Sequence, residues 1–195
     1  MILQTMILGE LDANCYLLSG REGHAVVIDP AGQAERIAAR LTEQGMALDA
    51  IFLTHAHFDH MGGLQRLHAM TGAPVYVHPA EEAIVPTMSR GRMPQEHLPY
   101  EDTMTAAGLT FRVLHTPGHS PGSVCLQTED ALFTGDTLFA GCCGRTDLPG
   151  GSWEDMARSL RQLLSMEGSY TVYPGHGDPS TLEIEKKANP YLRES

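Results

Sequence analysis

Apolar and polar positions alternate along the chain with two different periods, which predicts a repeated order of strands and helices. Short apolar runs between turn residues predict strands at 2–8, 15–18, 24–29, 50–54, 75–77, 110–114, 123–128, 131–134 and 170–173. Apolar residues three and four positions apart predict amphipathic helices at 33–44, 62–70 and from Ser152 onward, with Trp153 on the apolar face of the last, and a polar helix at 179–188. The order β-β-β-α-β-α therefore occurs twice, which predicts two sheets packed face to face with helices outside.

The stretch 86–104 follows neither period. Pro86, Gly91, Pro94 and Pro99 interrupt it, so we predict a long loop with at most one helical turn. Such a loop can be a lid or binding loop, or a plain surface excursion, and both interpretations stay open.

Length and charge limit the kind of protein. The 195 residues suffice for one buried core, so we predict a single domain over 1–195. The net charge of −11 and the lack of a Lys/Arg cluster argue against a nucleic-acid partner. No apolar run approaches the roughly 20 residues that span a bilayer, which argues against a membrane partner. A monomer and a small homo-oligomer both remain open.

The first eight residues are typical of a strand rather than of a signal peptide, so we expect a cytoplasmic protein. Cys15, Cys125, Cys142 and Cys143 form no C-x-x-C pair, and we expect reduced thiols. The adjacent Cys142 and Cys143 are interpreted as two ordinary thiols in preference to a redox site.

Residues 55–60 carry three histidines and an aspartate directly after the apolar run 51–53. Three further segments place a metal-ligand residue type after an apolar run: His119 in T-P-G-H, Asp136 in T-G-D and His176 in P-G-H-G. Since strand ends can meet along one edge of a sandwich, we expect all four segments to converge on one site.

The residue types indicate the kind of site. Structural zinc sites are usually closed and rich in Cys, whereas His with Asp suits zinc, iron or manganese in a reactive site. We expect two divalent ions: one held by His55, His57 and His119, the other by Asp59, His60 and His176, with Asp136 between them. This count leaves room for a bridging water or hydroxide between ions about 3.5–4 Å apart.

The remaining histidines are expected to have structural or surface roles; they are His24, His68, His78, His97 and His115. Asp29, at the end of a predicted strand, either hydrogen-bonds the metal loop or is a simple turn residue.

With these motifs together, the chain resembles the metallo-β-lactamase superfamily: T-H-x-H-x-D-H at 54–60, T-P-G-H-S-P-G at 116–122, T-G-D-T-L-F at 134–139 and Y-P-G-H-G at 173–177. The resemblance implies an α+β fold, a four-layer αβ/βα sandwich of two mixed β-sheets with helices outside. All seven candidate ligands match the family's ligand positions.

Within the superfamily the chain resembles the short, single-domain bacterial branch of type II glyoxalases (hydroxyacylglutathione hydrolases). We expect no C-terminal helical glutathione-binding domain of the kind that full-length type II glyoxalases carry. The resemblance implies a dinuclear, zinc-preferring thioesterase that cleaves S-lactoylglutathione, a small anionic thioester, by metal-bound hydroxide. It implies that Asp59 orients the hydroxide and that Arg145 contacts the substrate.

Two alternatives stay open. The segment 141–147 also resembles mononuclear iron persulfide dioxygenases of the same superfamily, in which His55, His119 and Asp136 would hold one iron. Hydrolysis of another ester, lactone or phosphodiester is also open to this fold.

Overall fold

Two six-stranded sheets form the body of the protein, and a computed structural model describes residues 1–194. The strands are β1 Ile2–Leu8, β2 Ala13–Ser19, β3 His24–Ile28, β4 Ala47–Phe52, β5 Val75–Val77, β6 Leu98–Pro99, β7 Thr103–Ala106, β8 Leu109–His115, β9 Val124–Thr128, β10 Ala131–Gly135, β11 Leu138–Phe139, β12 Cys142–Cys143, β13 Thr171–Pro174 and β14 Ser180–Thr181. The helices are α1 Ala34–Glu43, α2 Leu64–Thr71, α3 Val85–Met88, α4 Trp153–Leu164, α5 Leu182–Ala188 and α6 Pro190–Glu194. Short 3-10 turns occupy Phe58–His60 and Pro79–Ala83.

The two sheets have the same plan. The first has the order β1-β2-β3-β4-β5-β6, and the second has the order β14-β13-β10-β9-β8-β7. In each, a run of antiparallel strands is followed by a helix and a parallel strand. The run is β1–β3 in the first sheet and β7–β10 in the second, where β7 is a strand beyond the predicted three. The parallel pairs are β3 with β4 after α1, and β10 with β13 after α4. Both sheets are mixed, and the predicted repeat is confirmed.

Three apolar layers hold the sheets and helices together. Between the sheets, Phe52 packs edge-on against Phe111 with ring centroids 5.1 Å apart. Outside the first sheet, α1 and α2 bury Ile37 and Leu64; outside the second, α4 buries Leu160. Four layers result, as predicted. Burial of the apolar side chains between them is the main force that holds the layers together.

Helix ends follow local rules. The Ser152 hydroxyl accepts a hydrogen bond from the Asp155 N–H and begins α4, as predicted, and Thr181 caps α5 in the same way. At the first position of α4, however, Trp153 is 49% exposed and packs against Tyr191 rather than on the buried face. Its predicted placement on the apolar face was wrong because the indole at this first position contacts Tyr191 of α6 instead of the layer that α4 buries.

The prediction of one loop over 86–104 was partly wrong. Its helical turn exists as the end of α3, but β6 and the start of β7 also lie within it. The β7–β8 hairpin turns at Ala107 and Gly108, both with positive φ, which is the conformation of a tight hairpin turn. The turn was not predicted from sequence because Ala107 occupies a position where asparagine, aspartate or glycine is usual. The short helix α6 was also missed; Pro190 stands at its first position, where proline is well tolerated.

The four cysteines, all within residues 1–194, form no disulfide: Cys15 and Cys125 are buried, Cys142 is exposed and Cys143 is half-buried. In this part of the chain no helix has the length and apolar content that crossing a bilayer requires.

Candidate metal centre

Strand ends from both sheets meet at one edge and bring the candidate ligands together. The loop 54–60 follows β4, His119 follows β8, Asp136 follows β10 and His176 follows β13. Backbone hydrogen bonds join the two sheets there: Val124 N–H donates to Thr54 O over 2.9 Å, and Asn14 N–H donates to Gly175 O over 2.7 Å. The predicted convergence is therefore present in the structure.

One group consists of His55, His57 and His119. Their ring centroids lie 4.5–4.9 Å apart, and each offers a nitrogen within 4.8 Å of the others. All three residues are buried, and their Nε2 atoms have no hydrogen-bond partner. Buried nitrogens without partners are costly unless something else occupies them, and three converging imidazoles fit a divalent metal ion.

The second group consists of Asp59, His60 and His176. His176 Nε2 lies 3.2 Å from Asp59 Oδ2 and 3.3 Å from His60 Nε2. His60 Nε2 lies 3.8 Å from Asp59 Oδ2. Two imidazoles and a carboxylate within 4.8 Å of one another fit a second ion.

Asp136 lies between the two groups. Its Oδ2 is 3.4 Å from His119 Nε2 in the first group, and its Oδ1 is 3.4 Å from His60 Nε2 in the second. Oδ1 is buried and lacks a hydrogen bond. Oδ2 also lies 3.9 Å from His176 Nε2, so the carboxylate is within reach of both groups and the cluster fits a dinuclear metal site.

The other nitrogen of three candidate ligands is fixed by an acceptor. His60 Nδ1 donates to Asp29 Oδ2 over 2.9 Å, His119 Nδ1 donates to Arg145 O over 2.8 Å, and His176 Nδ1 donates to Leu11 O over 3.1 Å. Such acceptors fix the tautomer and aim Nε2 at the cluster, as around metal-bound histidines.

Asp29 is the hydrogen-bonding partner that the sequence left undecided. It is 1% exposed, and it also accepts from Thr54 N–H over 2.7 Å and from the Thr54 hydroxyl over 2.6 Å. It lies within 4.8 Å of His55 and His60 nitrogens, but both its oxygens are already occupied. Asp29 therefore positions the metal loop rather than joining the ligands.

Electrostatics in the cluster separate two kinds of histidine. Burial, reinforced by neighbouring histidines, lowers the pKa of His55 well below its usual range and that of His57 to about 4. Burial also favours a lower pKa at His60, but the negative charges of Asp136 and Asp29 outweigh it and raise the pKa of that ring. A ring that stays neutral at pH 7 has a lone pair for a metal, so His55 and His57 suit ligation without first losing a proton.

Carboxylates in the cluster favour the charged form. Burial opposes ionisation of Asp136, yet the nearby His60 and His119 rings lower its pKa well below the usual range. Burial likewise opposes ionisation of Asp59, and the hydrogen bond from His176 lowers its pKa. Charged carboxylates are the form that binds metal.

Gly175 allows the close approach at the centre. A Cβ at this position would lie 2.2 Å from Asp136 Oδ1 and 2.6 Å from His60 Cε1, so no larger residue fits there.

Glu81 is a site residue that sequence reasoning missed. It is fully buried, and its carboxylate accepts hydrogen bonds from Ala56 N–H over 2.5 Å and from Gly122 N–H over 2.6 Å. These two amides belong to the loops that carry His57 and His119. Burial raises the pKa of the Glu81 carboxyl. No local signal could have found it, because P-A-E-E looks like an exposed turn.

Arg145 lies beside the cluster, but its side chain is exposed and pairs with Asp147 through two hydrogen bonds of 2.7 and 2.8 Å. Its contact with the site is its carbonyl oxygen, which holds His119. A substrate-binding role for its side chain stays a prediction.

The five remaining histidines lie outside the candidate ligand groups, as expected. His24 pairs with Asp49, His68 donates to Ala73 O, His97 pairs with Glu82, and His78 and His115 stack with centroids 4.0 Å apart.

Comparison with known proteins agrees with this geometry. The family model of the metallo-β-lactamase superfamily matches residues 8–176. The chain therefore belongs to the metallo-β-lactamase superfamily. This membership supports its classification as a metal-dependent hydrolase.

Among curated proteins, the chain is 32% identical to hydroxyacylglutathione hydrolase GloC of Haemophilus influenzae, over 92% of each chain. Among solved structures, TTHA1623 in a di-iron-bound form is 38% identical with a TM-score of 0.85, over 96% of this chain and 99% of that one. BLEG-1 B3 metallo-β-lactamase is 34% identical with a TM-score of 0.87, over 98% of this chain and 99% of that one.

Proposed function

We propose that the protein is a dinuclear metal-dependent thioesterase of the hydroxyacylglutathione hydrolase type, with S-lactoylglutathione as its first candidate substrate. The observation that carries the proposal is Asp136, whose carboxylate lies 3.4 Å from a histidine nitrogen in each of two three-residue ligand groups. The similarity to a protein named hydroxyacylglutathione hydrolase supports the thioester part.

In this proposal His55, His57 and His119 would hold one ion, Asp59, His60 and His176 would hold the second, and Asp136 would be a ligand shared by the two groups. Bound divalent ions supply Lewis acidity, which polarises the substrate carbonyl and lowers the pKa of water toward neutrality. Asp59, whose side chain is 11% exposed, orients the attacking water toward that carbonyl. Zinc is our first choice of metal, although a similar structure holds two irons.

Thiol chemistry is a poor alternative for this chain. Burial raises the pKa of Cys125 to about 11 and, together with Cys142, that of Cys143 to about 11. Such thiols are protonated at neutral pH and are weak nucleophiles. Cys125 and Cys143 are therefore poor candidates for the nucleophile of the proposed reaction.

The two-metal proposal is favoured over a mononuclear iron dioxygenase. The dioxygenase assignment uses His55, His119 and Asp136 and gives no role to the second ligand group. That group is as compact as the first.

The partner in this proposal is a small anionic thioester. With a net charge of −11, the chain is poorly suited to nucleic acid, and no membrane or protein partner is invoked. A glutathione thioester belongs to the reducing cytoplasm, which is where we propose that the protein acts. We propose one catalytic unit per chain, because all seven ligands come from one chain.

The test is turnover of S-lactoylglutathione by protein whose metal content is measured in the same sample. We expect hydrolysis that disappears on chelation and returns with zinc. Oxygen uptake with glutathione persulfide and hydrolysis of a β-lactam serve as comparison reactions. A fully metallated sample that leaves the thioester intact refutes the substrate assignment, and oxygen uptake in its place supports the dioxygenase.

A further inference from the structure

A tight turn beside the metal loop carries an arginine that pairs with no acidic residue in the described part of the chain. This arginine turn, Ser89–Arg92, is closed by a 3.0 Å hydrogen bond from Arg92 N–H to Ser89 O. Its two central residues, Arg90 and Gly91, have φ of +50° and +71°. Turns of this kind favour glycine, asparagine or aspartate, and a left-handed arginine costs about 1 kcal/mol. Strained residues of this type cluster at ligand-binding positions.

The turn is fixed against the metal loop. The Arg92 side chain donates to Phe58 O over 2.7 Å and reaches Glu10 Oε1 at 3.4 Å. Phe58 stands between His57 and Asp59. Glu10 precedes Leu11, whose carbonyl holds His176. The arginine turn therefore lies on the side of the cluster where the second ligand group is.

That side is where the cluster opens. The His176 side chain is 28% exposed and the Asp59 side chain is 11% exposed, whereas that of His119 is only 4% exposed. We therefore expect a substrate to approach the cluster beside His176 and Asp59, on the side of the arginine turn.

Arg90 is arranged to hold an anion. Its guanidinium carbon lies 3.5 Å from the centroid of the Phe58 ring. Stacking uses the flat face of the guanidinium and leaves the N–H donors at its edge free for a carboxylate. Arg92 is tied to Glu10 and Arg145 to Asp147, so Arg90 is the unpaired positive charge among these three.

The distance suits the thiol part of the proposed substrate. The Arg90 guanidinium carbon is 3.5 Å from the Phe58 ring centroid, which is about 4 Å from the Phe58 Cα, and the next Cα, that of Asp59, is about 3.8 Å further. Arg90 therefore lies within roughly 11 Å of the Asp59 Cα. An extended tripeptide such as glutathione spans about 10 Å. A thioester carbonyl at the cluster can therefore place a carboxylate of the thiol part at Arg90.

We propose that Arg90 binds a carboxylate of the thiol part of the substrate and so selects anionic thioesters. This inference rests on the proposed thioesterase function. It assigns recognition of the thiol part to a turn of this single domain.

The test compares two thioesters that share one acyl group: one with a carboxylate-bearing thiol, S-lactoylglutathione, and one with a neutral thiol, S-lactoyl-N-acetylcysteamine. In Arg90→Asn we expect KM for the anionic thioester to rise about tenfold with kcat little changed, since a charge-assisted pair is lost. KM for the neutral thioester should not change. Arg90→Lys should fall between, because it keeps the charge but loses the planar donors.

Asparagine is the informative replacement because it suits a left-handed turn better than arginine does, so a loss of binding cannot come from a damaged turn. Arg66→Asn is the matched control, since Arg66 is an exposed arginine paired with Glu35. An equal rise in KM for both thioesters, or no rise for either, overturns the role of Arg90. If the native enzyme hydrolyses neither thioester, the thioesterase proposal itself fails, and calorimetry of glutathione binding then tests Arg90 alone: binding weakened in Arg90→Asn supports the proposal, and unchanged or absent binding overturns it.

Discussion

Asp136→Asn is expected to lower kcat/KM for thioester hydrolysis on the order of 10³-fold and to reduce the metal content from two ions per chain to one or fewer. Asparagine keeps the shape of the side chain but offers one oxygen and no charge. It cannot serve both the group around His119 and the group around His60, each now 3.4 Å from an Asp136 oxygen. Steady-state kinetics with elemental analysis of the same samples measures both effects.

Asp130→Asn is the matched control, since Asp130 is exposed in the turn between β9 and β10, away from the cluster. It should keep full activity and two metals. If Asp136→Asn retained both metals and most of its activity, Asp136 would not be a shared ligand.

Glu81→Gln is expected to destabilise the fold by about 1–3 kcal/mol and to weaken metal binding. The carboxylate now accepts from two buried amides, those of Ala56 and Gly122. Glutamine has one acceptor, so one of these amides would face an NH₂ group and lose its partner. Glu81→Ala would leave both amides without an acceptor and should cost about 2–5 kcal/mol. Denaturant unfolding of metal-free protein measures the stability.

Glu82→Gln is the control for this pair of variants. Glu82 is the next residue, is exposed and pairs with His97, so its replacement should change stability by less than about 1 kcal/mol. Equal effects at the two positions would show that the contacts of Glu81 with the two loops contribute no specific stability.

Sequence pattern was sufficient for the parts of the fold that depend on local periodicity. The strand and helix order of both halves followed from runs and spacing, because a half-buried strand or helix must repeat apolar residues with its own period. The ligand segments were predictable for a related reason: each follows such a run within a few residues, and the ends of neighbouring strands meet in space.

The rest depends on contacts between residues far apart in the chain. Glu81 looks like a surface residue in sequence, yet it is buried because two loops from different sheets need its two oxygens. Arg90 looks like an ordinary loop residue until its backbone angle and its contact with Phe58 are known. Asp29 shows the same limit, since only the folded chain brings it to Thr54 and His60.

The central claim is that one site holds two metal ions that act together on a thioester. The most direct test is a titration of metal-free protein with zinc, following S-lactoylglutathione hydrolysis against bound metal. We predict that activity rises until two zinc ions per chain are bound and then levels off. A plateau at one ion per chain, or a fully loaded protein that does not hydrolyse the thioester, would contradict the claim.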